Sequence, residues 1–295
     1  MPEHRKAPVT RQAWVAGLRI MRPWNLVMIA AAMAVFAYKV VGTSLQDHLW
    51  AVVVMVAMAA AGNVINDYFD QREDRVNKPR RALVGRVLKR RVALAEHGVL
   101  TVLALCAAGW GAWKMQVGWP LLWTTVLGGA LAAYSPWFKR HFLRGNVLIA
   151  LAVGQLPVWT GAMMEVTEEN AWVVLIGFAF ISGWLTLVRE VTKDLQDAEG
   201  DAQWGYDTLP IRWGRERTLR ALNGLFAVSA LWLALASGWW WSQIEFGATA
   251  TLLFWLPFAA GWRELRRGRE DRVSAWLKLT LAGGLAALVA AVPLA

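Results

Sequence analysis

Residues 59–81 read AAAGNVINDYFDQREDRVNKPRR. The stretch enters as apolar helix and leaves as charged chain, with Asp67, Asp70 and Asp74 at i, i+3 and i+7. At about 100° per residue, Asp70 and Asp74 fall within roughly 60° of Asp67, and Asn66 sits on the near flank. One helix face therefore presents an amide and three carboxylates where an apolar segment ends. Carboxylates packed side by side repel, and their pKa values rise. A divalent cation relieves that conflict, and an all-oxygen donor set suits a hard ion such as Mg²⁺.

The surrounding chain defines what the apolar segment is. Of 295 residues, 57% are hydrophobic and only 18% charged, and the charges come in bursts between long apolar runs. A bilayer core requires about 20 apolar residues per helix, so an all-α, polytopic membrane protein is expected, as a single domain over 1–295. Nine spans are read near 24–41, 48–70, 92–113, 119–135, 146–164, 170–189, 217–240, 245–263 and 274–293. Between the spans, 28 of the 31 lysines and arginines fall in the N-terminal segment and alternate loops, and the opposite loops carry Asp47, Glu165, Glu168, Glu169 and Glu245. The positive-inside rule then places the N-terminus in and the C-terminus out. It also explains the net charge of +10 without a nucleic-acid partner. Lys39, Lys114 and Lys278 are left near helix ends, where they would snorkel.

Many tryptophans fall at expected interfaces: Trp24, Trp50, Trp113, Trp119, Trp137, Trp172, Trp239, Trp240 and Trp241 read as an aromatic belt. Gly128, Gly129, Gly154, Gly161 and Gly183 read as close helix contacts. The lone Cys106 excludes a disulfide within the chain and reads as a small buried hydrophobe. The N-terminus lacks a short apolar core with a small-residue cleavage site, so no cleaved leader is expected.

The acidic pattern occurs twice. REVTKDLQDAEGDAQWG, residues 189–205, carries Asp194, Asp197 and Asp201 at the same spacing, with Glu190 one turn earlier. Both clusters end even-numbered spans, so both lie on the cytoplasmic side and can face one another across a cavity. Mg²⁺ held by a few carboxylates keeps positions open for phosphate oxygens. The chemical reading is two acidic helices bridged through metal to a diphosphate. Bases fit it: Arg22 and Asn25 open the first span, Lys78 and Arg81 follow the first cluster, Lys139 and Arg140 follow YSPWF, and Lys193 and Arg212 flank the second cluster. Cations there would hold the remaining phosphate oxygens.

In order along the chain, NDYFDQRED (66–74), NKPRR (77–81), YSPWFKR (134–140), GN (145–146), KDLQDAEGD (193–201) and TLPIRWG (208–214) resemble the UbiA-type intramembrane prenyltransferases. Within them the chain looks most like the branch that moves a geranylgeranyl group onto geranylgeranylglyceryl phosphate. The resemblance implies a helical bundle around a central cavity, capped by loops at about 75–91 and 198–216. It implies Mg²⁺ held through the prenyl diphosphate by Asn66, Asp70, Asp74, Asp197 and Asp201. Asp67 and Asp194 match the remaining motif positions, reaching metal through water or holding bases. Tyr134 and Asn146 fall in matching segments and join the expected substrate-binding residues. One departure is Ala82, where the family often has the proline of an Arg-Pro-Leu segment; a change in the cap loop or the acceptor site is expected from it, with the acids left intact.

The expected activity is prenyl transfer from a prenyl diphosphate to a membrane-soluble acceptor, in the cell (inner) membrane, with the site facing the cytoplasm and no obligate protein partner. Asp70, Asp74, Asp197 and Asp201 are the expected catalytic residues. Tyr134, Tyr68, Trp137 and Trp184 are the aromatic candidates for facing an allylic cation. Two rival readings are an aromatic acceptor, such as 4-hydroxybenzoate or a quinone precursor, and a cation transporter using the paired acids as its ion site. Transport would place those acids near the bilayer midplane on broken helices, whereas here both end spans on one side.

Overall fold

The computed structural model describes residues 11–77, 79, 82–240 and 251–291. Among these residues there is no strand. The only β-type contact is an isolated bridge between Val84 and Leu88. Short α1 (Arg11–Ile20) precedes α2 (Pro23–Val35), which runs on as a π-turn to Val41. Next come α3 (Leu49–Phe69), α4 (Gln71–Asn77), α5 (Arg90–Met115) and α6 (Trp119–Ala133). A π-turn, Tyr134–Phe138, leads to α7 (Arg144–Met163) and then α8 (Glu169–Gln203). The chain closes with α9 (Leu209–Trp213), α10 (Arg215–Trp240), α11 (Leu256–Arg266) and α12 (Glu270–Ala291).

Six described segments are long and apolar enough to cross a membrane: Pro23–Val41, Leu45–Phe69, Arg90–Met115, Arg144–Met163, Glu169–Gln203 and Glu270–Ala290. They match the first, second, third, fifth, sixth and ninth expected spans. The fourth coincides with α6 and its π-turn, and the seventh with α10. The eighth begins among residues 245–250, outside the described residues, and continues into α11.

Two apolar cores hold the bundle. Met33, Met55, Met58, Leu127, Trp159 and Met163 join α2, α3, α6 and α7, with Ala104 and Ala108 of α5. Leu185, Val188, Leu222, Phe226, Phe258 and Leu277 join α8, α10, α11 and α12. The α7–α8 pair links the halves, and α12 packs back on α2 to close the circuit. At the α7–α8 crossing, a Cβ on Gly154 would lie 2.9 Å from Ala179 O and 3.1 Å from Gly183 Cα, so only glycine permits this approach. Gly129, by contrast, faces open space. Outward faces carry Trp24, Trp113, Leu122, Leu151, Ile176 and Leu231, all exposed. Apolar surface of that extent suits lipid, not water.

Two further expectations are corrected. Trp50 is buried in the first core, stacked so closely on α5 that a Cβ at Gly111 would strike its ring. Cys106 lies exposed on the outer face of α5 instead of buried. Trp239, Trp240 and Trp241 lie outside the residues whose side chains are described.

Candidate active site

The first acidic cluster is not one unbroken helix. α3 stops at Phe69, Asp70 takes non-helical angles (φ −82°, ψ 12°), and α4 restarts at Gln71. The turn still keeps helical spacing, because Asp70 N–H donates to Asn66 O and Asp74 N–H to Asp70 O, both at 2.8 Å. Asn66, Asp67, Asp70 and Asp74 therefore stay on neighbouring positions. Each of the first three has a named partner. Ser135 Oγ donates to Asn66 Oδ1 at 3.3 Å, Arg22 Nη2 to Asp67 Oδ1 at 2.9 Å, and Lys139 Nζ to Asp70 Oδ2 at 2.6 Å.

Local backbone features aim these bases. Arg22 sits in the left-handed region (φ 58°) directly before Pro23. A non-glycine residue persists there only when its surroundings over-determine it. Asn63 Nδ2, donating to Met21 O at 2.9 Å, is one such restraint. Lys139 is set by the π-turn: Pro136 has no N–H to give, the turn widens, and Lys139 N–H reaches back five residues to Tyr134 O at 2.8 Å. Burial works against the Lys139 ammonium, but the Asp70 carboxylate outweighs it and holds the lysine above its ordinary range. It is charged at neutral pH.

The second cluster lies along one helix. α8 has 35 residues, about 50 Å at 1.5 Å per residue, longer than a bilayer core of about 30 Å. Its last turns extend past the apolar part and carry the acids. Asn146 Nδ2 donates to Asp194 Oδ2 at 2.9 Å. Lys193 Nζ and Arg189 Nη2 both donate to buried Glu190 Oε1, at 2.7 and 2.6 Å.

The two clusters meet. Asp70 and Asp201 both act on the charge of Lys139, and Tyr134 feels Glu190, Lys139, Asp70 and Asp194. α4 packs directly on α8, so closely that a Cβ at Gly200 would lie 2.4 Å from Asn77 Oδ1. Lys139 and Tyr134 thus stand between acidic groups that are far apart in sequence.

A latch that the sequence reading passed over closes this junction. The Tyr206 hydroxyl donates to Glu73 Oε1, tying the segment after α8 to α4. Both side chains are buried. Tyr206 N–H donates to Asp201 O at 3.0 Å, and the Arg140 guanidinium lies 5.5 Å from the Tyr206 ring centroid. Burial, then the bond to Glu73, pushes the phenol well above its ordinary pKa, so it remains a donor. Tyr206→Phe leaves a buried carboxylate short of its donor, at a cost of about 1–3 kcal/mol. We expect Tyr206→Phe protein to unfold at lower temperature than wild type in detergent, measured by circular dichroism.

The remaining expected site residues are placed as follows. Arg212 turns away, pairing with Asp207 (Nε to Oδ1 2.9 Å) and covering Phe142 at 4.6 Å. Arg140 lies over the Tyr206 ring. Asn25 Oδ1 accepts from Lys278 Nζ at 3.2 Å. Lys78 and Arg81 lie outside the described residues. Of the four aromatic candidates, only Tyr134 stands between the clusters. Trp137 is 71% exposed, Tyr68 carries the Arg90 guanidinium at 4.7 Å, and Trp184 donates to Ser229 Oγ at 3.0 Å in the α8–α10 layer.

Known proteins share this fold. The profile of the UbiA prenyltransferase family matches residues 25–284. The chain belongs to the UbiA prenyltransferase family. It is 31% identical to the digeranylgeranylglyceryl phosphate synthase of Natronomonas pharaonis, covering 93% of this chain and 96% of that relative. The apo structure of a UbiA homologue from Aeropyrum pernix K1 superposes with TM-score 0.67 at 16% identity, over 97% of this chain and 98% of that one. A UbiA homologue from Archaeoglobus fulgidus bound to DMAPP and Mg²⁺ gives TM-score 0.56 at 17% identity, over 92% and 99%. At these identities the solved structures establish the fold alone. As a UbiA-family enzyme the protein is a multi-pass membrane prenyltransferase.

The donor set suits the metal of that UbiA homologue. It is all carboxylate and amide oxygen, which favours a hard divalent cation. Among the described residues no three acidic or histidine side chains converge tightly enough to hold an ion unaided. Mg²⁺ takes one or two carboxylates and completes its shell with water and substrate phosphate.

Proposed function

We propose that this enzyme transfers a geranylgeranyl group from its diphosphate to geranylgeranylglyceryl phosphate, with Mg²⁺, in ether-lipid synthesis. The observation that carries the reading is the meeting of the α3–α4 and α8 carboxylates around Lys139. A leaving diphosphate needs opposed acids for its metals and a fixed cation for its remaining oxygens. The relative from Natronomonas pharaonis, matched nearly end to end, supports the choice of acceptor.

In this reading Asn66, Asp70, Asp74, Asp197 and Asp201 hold the metal–diphosphate, and Asp67 and Asp194 hold Arg22 and Asn146 in place. Bound there, Mg²⁺ would neutralise the departing diphosphate and so permit C1–O ionisation. Lys139 supplies fixed positive charge to the same group. Tyr134, between the clusters, offers its ring to the allylic cation. The Tyr206–Glu73 latch keeps out water that would quench the cation. The topology supported by the charged loops is nine spans, N-terminus in and C-terminus out, with the site facing the cytoplasm.

The test is mass spectrometry of products from purified protein given geranylgeranyl diphosphate and a panel of acceptors. We expect the diether phosphate to dominate, only with Mg²⁺ present. Dominant transfer to 4-hydroxybenzoate would replace the acceptor, and metal flux in proteoliposomes without prenyl diphosphate would replace the reaction class.

A further inference from the structure

Lys278 lies within α12, eight residues past Glu270, about 12 Å along the helix. A cation at such depth is costly, and in membrane helices it faces the interior and marks a pathway or a partner. Snorkelling outward is the sequence expectation. The structure instead sends Nζ across the bundle to Asn25 Oδ1 at 3.2 Å. Asn25 is in the first turn of α2, three residues after the strained Arg22. The charge of Arg22 in turn acts on Lys193 of α8, and α12 packs on both α2 and α8. Three bases and an amide from three walls of the bundle are thereby gathered at one end.

This group differs from the one around Lys139. Lys139 comes from the α6–α7 turn and engages Asp70 and Asp201. Arg22 is matched by Asp67, and Lys193 by Glu190. Lys278 comes from α12 and meets the Asn25 amide. The acceptor in the reading above brings an anion of its own, a phosphate monoester, in addition to the donor's diphosphate. Two phosphate groups on two substrates require two cationic seats, or the second substrate is repelled by the first.

We propose that Lys278, assisted by Asn25 and Arg22, seats the phosphate of the acceptor lipid apart from the metal–diphosphate, and so selects a phosphorylated acceptor. This rests on the glyceryl phosphate reading of the function. The test measures KM for each substrate in the full-length protein, with geranylgeranylglyceryl phosphate and its dephosphorylated alcohol as alternative acceptors. Lys278→Met is expected to raise KM for the phosphate acceptor at least tenfold. KM for geranylgeranyl diphosphate should stay within about twofold, and Lys278→Arg should recover most of the loss. Wild type should prefer the phosphate acceptor over the alcohol, and Lys278→Met should erase that preference. If Lys278→Met does not fold in detergent, Asn25→Ala carries the same comparison, with a smaller rise in the same KM. An unchanged acceptor KM, an equal rise in both KM values, or a preference that survives the mutation overturns the proposal and leaves prenyl transfer standing. Wild-type transfer to neither glyceryl acceptor overturns this inference and the proposed function together, whereas transfer to the alcohol as readily as to the phosphate overturns this inference alone.

Discussion

Asp197→Asn enzyme is expected to lose prenyl transfer by at least about a thousandfold while keeping its fold, a barrier increase of about 4 kcal/mol. The substitution keeps shape and hydrogen-bonding size and removes only the charge. Asp197 is half-buried on the face of α8 that carries Asp194 and Asp201, and its carboxylate adds to the charge that Asp194 feels. Asp70→Asn is expected to fall as far, for a compound reason: the same change also weakens the 2.6 Å contact with Lys139. Asp67→Asn separates the roles. Its carboxylate holds Arg22 at 2.9 Å, and loss of a group that orients another costs about 10- to 100-fold. Turnover of labelled geranylgeranyl diphosphate across a Mg²⁺ titration measures all three. Thermal unfolding in detergent supplies the second readout: Mg²⁺ with inorganic diphosphate should stabilise wild type and Asp67→Asn, and leave Asp197→Asn unmoved. Asp197→Asn protein with full turnover would remove the metal role assigned to α8.

The parts of this molecule legible in its sequence are those set by a single element and its solvent. Span positions follow from the bilayer's thickness, and each of the six apolar segments falls on an expected span. The two acidic ladders are legible because helical spacing turns i, i+3 and i+7 into one face, and that spacing survives even the break at Asp70. What the sequence conceals is set by which elements touch. Trp50 has the composition of a belt residue, and only Gly111 on α5 makes it core. Lys278 resembles a snorkelling lysine until α12 closes on α2. Tyr206 and Glu73 bond across 133 positions, a pairing no local pattern announces. Arg212 lies beside the second cluster in sequence but finds Asp207 five residues away instead.

Lys139 is where local and tertiary information combine, and its replacement should produce two effects of opposite sign. Its ammonium rests on Asp70 and feels Asp201, two of the carboxylates proposed to hold the divalent cation. Lys139→Met removes that internal competitor. Asp70 is then left part-buried without its cation, and carboxylates so placed bind an external cation more readily. The variant should therefore bind Mn²⁺, used as a paramagnetic probe for Mg²⁺, at lower concentration than wild type when no diphosphate is present. The same variant should turn over about 100- to 1000-fold more slowly, because a preorganised cation aimed at the leaving group is worth about 2.7–4 kcal/mol. Tighter metal with slower chemistry is the signature of a lysine whose charge serves both the carboxylates and the leaving diphosphate. Lys139→Arg keeps the charge but replaces a compact ammonium with a planar fork, and should fall between the two. A merely structural lysine would lower stability and rate together and weaken metal binding with them. That pattern in Lys139→Met would assign the Asp70 pair to the fold and return the leaving-group contact to another base.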